Sequence, residues 1–258
     1  MTKSSPMDEE ASAKGFNRAF SVLDSEVYRE AVRVSSQADP VPEWVLPFSF
    51  IRGSELERIA ANLALDHSAA VADLGCGLGG AALWLAQRTG ARVTGVDWAS
   101  EAIERATKHA QRRGQTGRVS FLVADMAQTG LQTGTFDAVT SVDAIMFADP
   151  TQVSEEIARL LRPGGRVALI AIEVENAQRP TAVADYRPYF DRAGLEVELH
   201  EPTPGWPENR ERFFAALRER AAGLRKELGE AAEALLEEAQ TPPGVSSRVF
   251  ITAIKRAQ

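Results

Sequence analysis

Val71-Ala72-Asp73-Leu74-Gly75-Cys76-Gly77-Leu78-Gly79-Gly80 is the stretch on which the fold turns. An apolar lead-in ends in a carboxylate, a glycine-rich turn follows, and Ala81-Ala82-Leu83-Trp84-Leu85-Ala86 behind it is a good helix former. The order is strand, tight turn, helix start. Glycines at such a turn admit positive φ and leave no Cβ between backbone and ligand. The helix N-terminus behind them offers unpaired N–H groups. A flat, polar cofactor can lie against this bare backbone. The spacing Gly75-x-Gly77-x-x-Gly80 also fits the dinucleotide fingerprint. Asp73, two places before the first glycine, discriminates. A pyrophosphate there would meet a negative charge, whereas a cofactor carrying an ammonium and a sulfonium would meet a partner.

The 258 residues suffice for one large domain or a domain with a small appendage, and 44% hydrophobic residues suffice for a full core. With 29 basic and 36 acidic residues the net charge is −7, and no basic stripe is present to neutralise phosphates. That argues against a nucleic-acid partner. Cys76 is the sole cysteine, so no internal disulfide forms, and the chain reads as intracellular and cytoplasmic. The polar start lacks the apolar run of a signal peptide, and no segment is long and apolar enough to predict a membrane span. No metal-ligand pattern is read.

Downstream of the turn, Ala91–Asp97 is a second strand ending in an acid. Asp97 stands 22 residues past Gly75, spaced to accept hydrogen bonds from both hydroxyls of a ribose. Trp98 follows and offers a flat face for adenine. A helix over Glu101–Arg113 carries His109 among charged residues, which predicts a solvent-facing imidazole. Val119–Met126 is a third strand holding Asp125, and Gly134–Asp143 is a turn and fourth strand. Asp149 caps the next helix with Pro150 in its first turn. Arg162-Pro163-Gly164-Gly165 then turns into a fifth strand.

Upstream, residues 1–13 read as a disordered tail. Phe16, Phe20, Leu23, Val27, Ala31 and Val34 recur at helical spacing and predict one amphipathic helix. Residues 39–50 contain three prolines and cannot be a regular helix, so Trp44, Phe48 and Phe50 must bury against something. The wall of an apolar pocket is the favoured place. Ser54 and Glu57 make a capping-box pattern for a helix ending before His67. Beyond the fifth strand come a helix over Thr181–Ala193, a sixth strand over Leu195–Leu199 leading to His200, and a last strand over Arg248–Ile254. Between those two strands, Phe213, Leu217, Ala221, Leu224, Leu228, Ala232 and Leu235 form an apolar stripe, closed by Pro242-Pro243-Gly244. Such an insertion suits a lid or a homodimer surface. The expected division is a tail (1–13), an N-terminal cap or lid (14–54), a cofactor-binding core (55–204), a helical insertion (205–244) and the last core strand (245–258).

Asp73-x-Gly75-x-Gly77, the acids Asp97 and Asp125, the Ser141–Asp143 corner and the Leu160–Gly165 turn, in this order, resemble the class I S-adenosylmethionine-dependent methyltransferases. The small-molecule branch common in bacterial natural-product pathways is the most similar. The resemblance implies an α/β, Rossmann-like, seven-stranded and mostly parallel sheet with helices on both faces and an antiparallel last strand. It implies S-adenosyl-L-methionine as cofactor, contacted by Asp73, Gly75, Cys76, Gly77, Asp97, Trp98, Asp125, Met126 and Ser141. Asp125 would accept from the adenine amino group, with Met126 against the ring. Related sequences often carry a histidine near Phe147, usable as a base; here it is absent. The Asn-Pro tetrapeptide of many adenine and glutamine methylases is also missing, since 141–144 reads Ser-Val-Asp-Ala.

The implied chemistry is in-line methyl transfer to an O or N of a small-molecule acceptor, a secondary metabolite. Asp143, after the fourth strand, is the residue expected to orient or deprotonate that acceptor. Trp44, Phe50, Phe147 and Glu173 are expected around it, with His200 a weaker base. Two other functions fit parts of the pattern: an NAD-dependent oxidoreductase using the same glycines, and a non-methylating cyclase or binding protein on this scaffold.

Overall fold

Residues 71–74 are apolar apart from Asp73, as a strand covered on both faces must be. The computed structural model of the chain describes residues 20–45, 49–175, 181, 183–240 and 246–256. Its sheet has seven strands: β1 (Ala70–Leu74), β2 (Arg92–Asp97), β3 (Val119–Val123), β4 (Phe136–Val142), β5 (Leu161–Val174), β6 (Leu195–Pro202) and β7 (Ser246–Lys255). The order is β3-β2-β1-β4-β5-β7-β6. The first five strands run parallel, and β7 lies antiparallel between β5 and β6. The fold class is therefore the one the resemblance implies.

Helices cover both faces, so each face has its own core. On one, Ala72, Leu74, Val139 and Leu169 pack with Val153, Ile157 and Leu160 of a helix over Pro150–Leu160, and with Tyr186 and Phe190. Asp149 caps that helix, its Oδ1 accepting from the Thr151 and Gln152 amides. On the other, Val71, Val93, Ala168 and Ile170 meet helices over Gly53–Leu63 and Gly80–Thr89. The strand order reverses between β1 and β4, and ligands of open parallel sheets bind at the carboxyl ends beside that point.

A third apolar cluster sits above that edge. It joins α1 (Glu26–Ser35) to α2 (Trp206–Glu219), α3 (Ala221–Leu228) and α4 (Ala231–Gln240) of the insertion, with Tyr28 edge-on to Phe213 at 5.3 Å. Leu78 of the glycine turn belongs to the same cluster.

Several local expectations need correction. The N-terminal amphipathic stretch breaks at Ser25, whose hydroxyl accepts from the Tyr28 amide and starts α1 afresh after a 3-10 turn over Ser21–Asp24. The Gly53–Leu63 helix is not capped by Ser54 with Glu57. Glu55 reaches back to the Arg52 amide, and Asp39 accepts from the Ser54 amide. The predicted Thr181–Ala193 helix shrinks to Arg187–Arg192, with Pro188 in its first turn. At 162–165 the chain bulges between the Phe136–Leu161 and Ala138–Arg166 pairs. Phe16, Phe48, the 1–13 tail and Pro242–Gly244 lie outside the described residues. No helix among the described residues is long and apolar enough to cross a membrane.

Candidate active site

The glycine turn folds back over the end of β2. The Gly75 and Cys76 amides both donate to the Val96 carbonyl, at 2.8 and 3.0 Å. Gly75 has φ +74°, and a Cβ there would stand 2.2 Å from the Ala144 Cβ, so no larger residue fits. At Gly80 a Cβ would meet the Val45 carbonyl oxygen at 1.7 Å, because a 3-10 turn over Glu43–Val45 lies directly on the start of the following helix.

Asp73, at the end of β1, is 2% exposed, and its Oδ2 is buried with no hydrogen-bond partner. Burial, reinforced by the nearby charge of Asp97, pushes its carboxyl up to about 7. Asp97 is also buried, and burial raises its carboxyl even though each oxygen accepts a backbone N–H, Oδ2 from Gly77 and Oδ1 from Ala99, both at 2.9 Å. Two raised acids beside one cleft form an environment short of positive charge.

That cleft is a cavity of about 300 Å³. Asp73, Gly75, Gly77, Asp97, Trp98 and Met126 line one part of it, and Cys76 borders it. Phe50, Ile51, Val142, Met146, Phe147 and Ile172 give the rest an apolar wall. Asp143 lines it too, but is not a free carboxylate. Arg248 holds both its oxygens, Nε to Oδ1 at 2.8 Å and Nη2 to Oδ2 at 3.0 Å. Arg248, only 1% exposed, also donates to Glu55, which in turn accepts from Arg52, so the charges alternate along Arg52, Glu55, Arg248 and Asp143. Coulombic attraction to Asp143 and Glu55 overcomes desolvation and keeps the guanidinium protonated.

Thus Asp73, Gly75, Cys76, Gly77, Asp97, Trp98, Met126, Phe50, Phe147 and Asp143 come together at one cavity. Four expected residues do not line it. Trp44 packs on the far side of the glycine turn, with Arg113 stacked 3.5 Å from its ring and His109 edge-on at 6.0 Å. His109 is therefore 7% exposed rather than solvent-facing, and burial lowers its pKa. Ser141 is fully buried and donates to the Leu74 carbonyl at 2.7 Å, tying β4 to β1. Asp125 is exposed and accepts from the Ala127 amide. Glu173 points to the opposite face of the sheet, accepting from the Tyr186 amide and pairing with His200 Nε2, each at 2.9 Å.

Phe20, Glu238 and the Arg248–Glu55 pair were not legible as site residues in the sequence. Phe20 and Glu238 reach the cavity from the N-terminal segment and from α4. The one available signal for Arg248 was an arginine at the start of an otherwise apolar strand, Arg248-Val249-Phe250-Ile251. Cys76 carries no nucleophilic role, since burial and the charges of Asp73 and Asp97 push its thiol well up.

An orphaned buried carboxylate oxygen, a glycine turn and a flat indole at one cavity fit a cationic nucleoside cofactor, and the comparisons agree. A family model described as a methyltransferase domain matches residues 72–169. Methyltransferase GfsG of Streptomyces halstedii is 33% identical over 146 residues, 56% of this chain and 52% of that protein. The 27-O-demethylrifamycin SV methyltransferase of Amycolatopsis mediterranei is 30% identical over 190 residues, 64% of this chain and 69% of that one. Among solved structures, the [4+2]-cyclase SpnF superposes with TM-score 0.69 at 21% identity, covering 81% of this chain and 83% of that one, a likeness of fold. The chain belongs to the class I S-adenosylmethionine-dependent methyltransferases, and S-adenosyl-L-methionine is its cofactor. It spans about half the length of GfsG. The oxidoreductase reading of the glycines falls with this.

Proposed function

We propose that the protein transfers a methyl group from S-adenosyl-L-methionine to an O or N of a small-molecule acceptor, a secondary metabolite, and takes no nucleic-acid substrate. The observation that carries it is the unpartnered, buried Oδ2 of Asp73 on a cavity whose other wall is apolar. The name of the 27-O-demethylrifamycin SV methyltransferase supports the class of acceptor.

Asp73 would accept from the cofactor's ammonium and Asp97 from its ribose hydroxyls, while Trp98 and Met126 flank the adenine. Bound there, the cofactor supplies an electrophilic methyl on a sulfonium. The chain's own work is alignment and exclusion of water. Holding nucleophile and methyl in line accounts for about 7–11 kcal/mol of barrier. Phe50, Met146 and Phe147 dry the acceptor side. Both oxygens of Asp143 are already engaged by Arg248, so Asp143 orients a donor on the acceptor rather than taking its proton. The cluster of α1 with α2–α4 serves as the lid, and its outer face is the surface through which a homodimer would form.

The test is turnover of methyl-labelled cofactor against a panel of apolar secondary-metabolite alcohols and amines, reading S-adenosylhomocysteine and product mass. Label in one acceptor, lost in Asp143→Asn while cofactor affinity stays within about threefold, supports the assignment. Equal loss of both would place Asp143 among the cofactor contacts. Conversion of an acceptor with no S-adenosylhomocysteine formed contradicts methyl transfer.

A further inference from the structure

Among the described residues, the cavity carries charge of one sign. Four described side chains lining it are carboxyls, namely Asp73, Asp97, Asp143 and Glu238, and none is a lysine, arginine or histidine. The first two flank the glycine turn, where the cofactor's own ammonium answers them. Asp143 is answered from behind by Arg248, which is buried and turned toward Asp143 and Glu55. Glu238 remains. It stands on α4, is exposed, and makes no ion pair with any described residue. Apart from Ser49, the other side chains on the acceptor side are apolar.

Resting on the methyltransferase reading, we propose that the site selects by charge. It takes an apolar acceptor that is uncharged or cationic and rejects phosphorylated and carboxylated ones, and Glu238 of the helical insertion sets part of that selection. An anion entering here would leave water without meeting a fixed cation, and would approach carboxylates across a few ångströms of weakly polarisable surroundings. Stripping the anion of its water with no cation to take its place costs on the order of 100-fold in affinity. A cation loses less hydration than it regains from Glu238, although an exposed carboxylate alone contributes only about three- to fivefold. The insertion between β6 and β7 thereby gains a chemical task besides covering the cavity.

The experiment uses the whole protein saturated with S-adenosylhomocysteine, and three probes of one chain length: octylamine, octanol and octyl phosphate. Affinities are measured by calorimetry near pH 7.5. The amine and alcohol are expected to bind, with the phosphate weaker by about 30-fold or more. Glu238→Gln should narrow the gap between amine and phosphate by roughly three- to fivefold and leave octanol unchanged, and Glu238→Lys should narrow it further. Unaltered melting temperatures check that these surface variants fold. Octyl phosphate binding as well as octanol overturns the proposal, as does a gap that both variants leave unchanged. Binding of none of the three overturns the apolar acceptor. Failure of the protein to bind S-adenosylhomocysteine at all instead sinks the methyltransferase reading beneath it.

Discussion

Arg248 on the last strand grips Asp143 at the end of the fourth with two hydrogen bonds, Nε to Oδ1 at 2.8 Å and Nη2 to Oδ2 at 3.0 Å. The guanidinium is 1% exposed, and Asp143 has φ +52°, a left-handed backbone that aspartate tolerates better than most residues. The bidentate pair thus fixes a strained corner of the cavity wall.

Removing one partner of a buried pair leaves the other charge uncompensated. Arg248→Met strands Asp143 and leaves Glu55 with Arg52 alone, so urea unfolding should show a loss of about 3–5 kcal/mol. Adding Asp143→Asn should recover part of it. A loss below about 1 kcal/mol would mean that the pair is not buried in solution.

Asp97 accepts from two backbone amides and, in the proposed assignment, from the ribose hydroxyls as well; Asp97→Ala removes the acceptor for the Gly77 and Ala99 amides and for that proposed contact. S-adenosylhomocysteine affinity should fall by about 1–3 kcal/mol, the range for hydrogen bonds to a charged group. Unchanged affinity by calorimetry would refute the ribose assignment.

The pH dependence follows from Asp73. Its carboxyl titrates at about 7 in the folded chain against 3.8 ordinarily, so between those values the native state holds a proton that the unfolded chain has released. Stability of the cofactor-free protein should therefore fall as pH rises through that window, by at most about 1.4 kcal/mol per pH unit from this group. Asp73→Asn should flatten that part of the profile. Cofactor affinity should move the other way, strengthening up to about pH 7 as the carboxylate proposed to meet the ammonium forms. Superimposable melting profiles for wild type and Asp73→Asn would contradict both.

Gly80→Ala probes the turn's packing without touching a charged group. The new methyl would overlap the Val45 carbonyl, so the Glu43–Val45 turn must lift. The expected result is faster proteolysis within residues 39–52 and a lower melting temperature. A fully stable, protease-resistant variant would show that this turn does not rest on Gly80.

The sheet and the glycine turn were legible because their signals are local. Val71–Gly80 carries its own strand, turn and helix start, and the acids closing β1 and β2 sit at strand ends whatever surrounds them. Facing was not legible. Trp44 lies on a proline-rich loop, and only the neighbouring helix with Arg113 and His109 determines which way it turns. His109 had a readable clue, since Ala102, Ala106, His109 and Ala110 share one helical face. Glu173 and Ile172 are adjacent on β5, yet strand alternation sends only Ile172 to the cavity. The pairing of Asp143 with Arg248 spans 105 residues, beyond the reach of any local pattern.

The most direct test of this account is a calorimetric titration of the purified protein with S-adenosylhomocysteine, NAD and NADP. One site per chain for the first, weakened in Asp73→Asn, and no heat from the other two is the predicted result. Saturable binding of NAD, or no binding of S-adenosylhomocysteine, would contradict it.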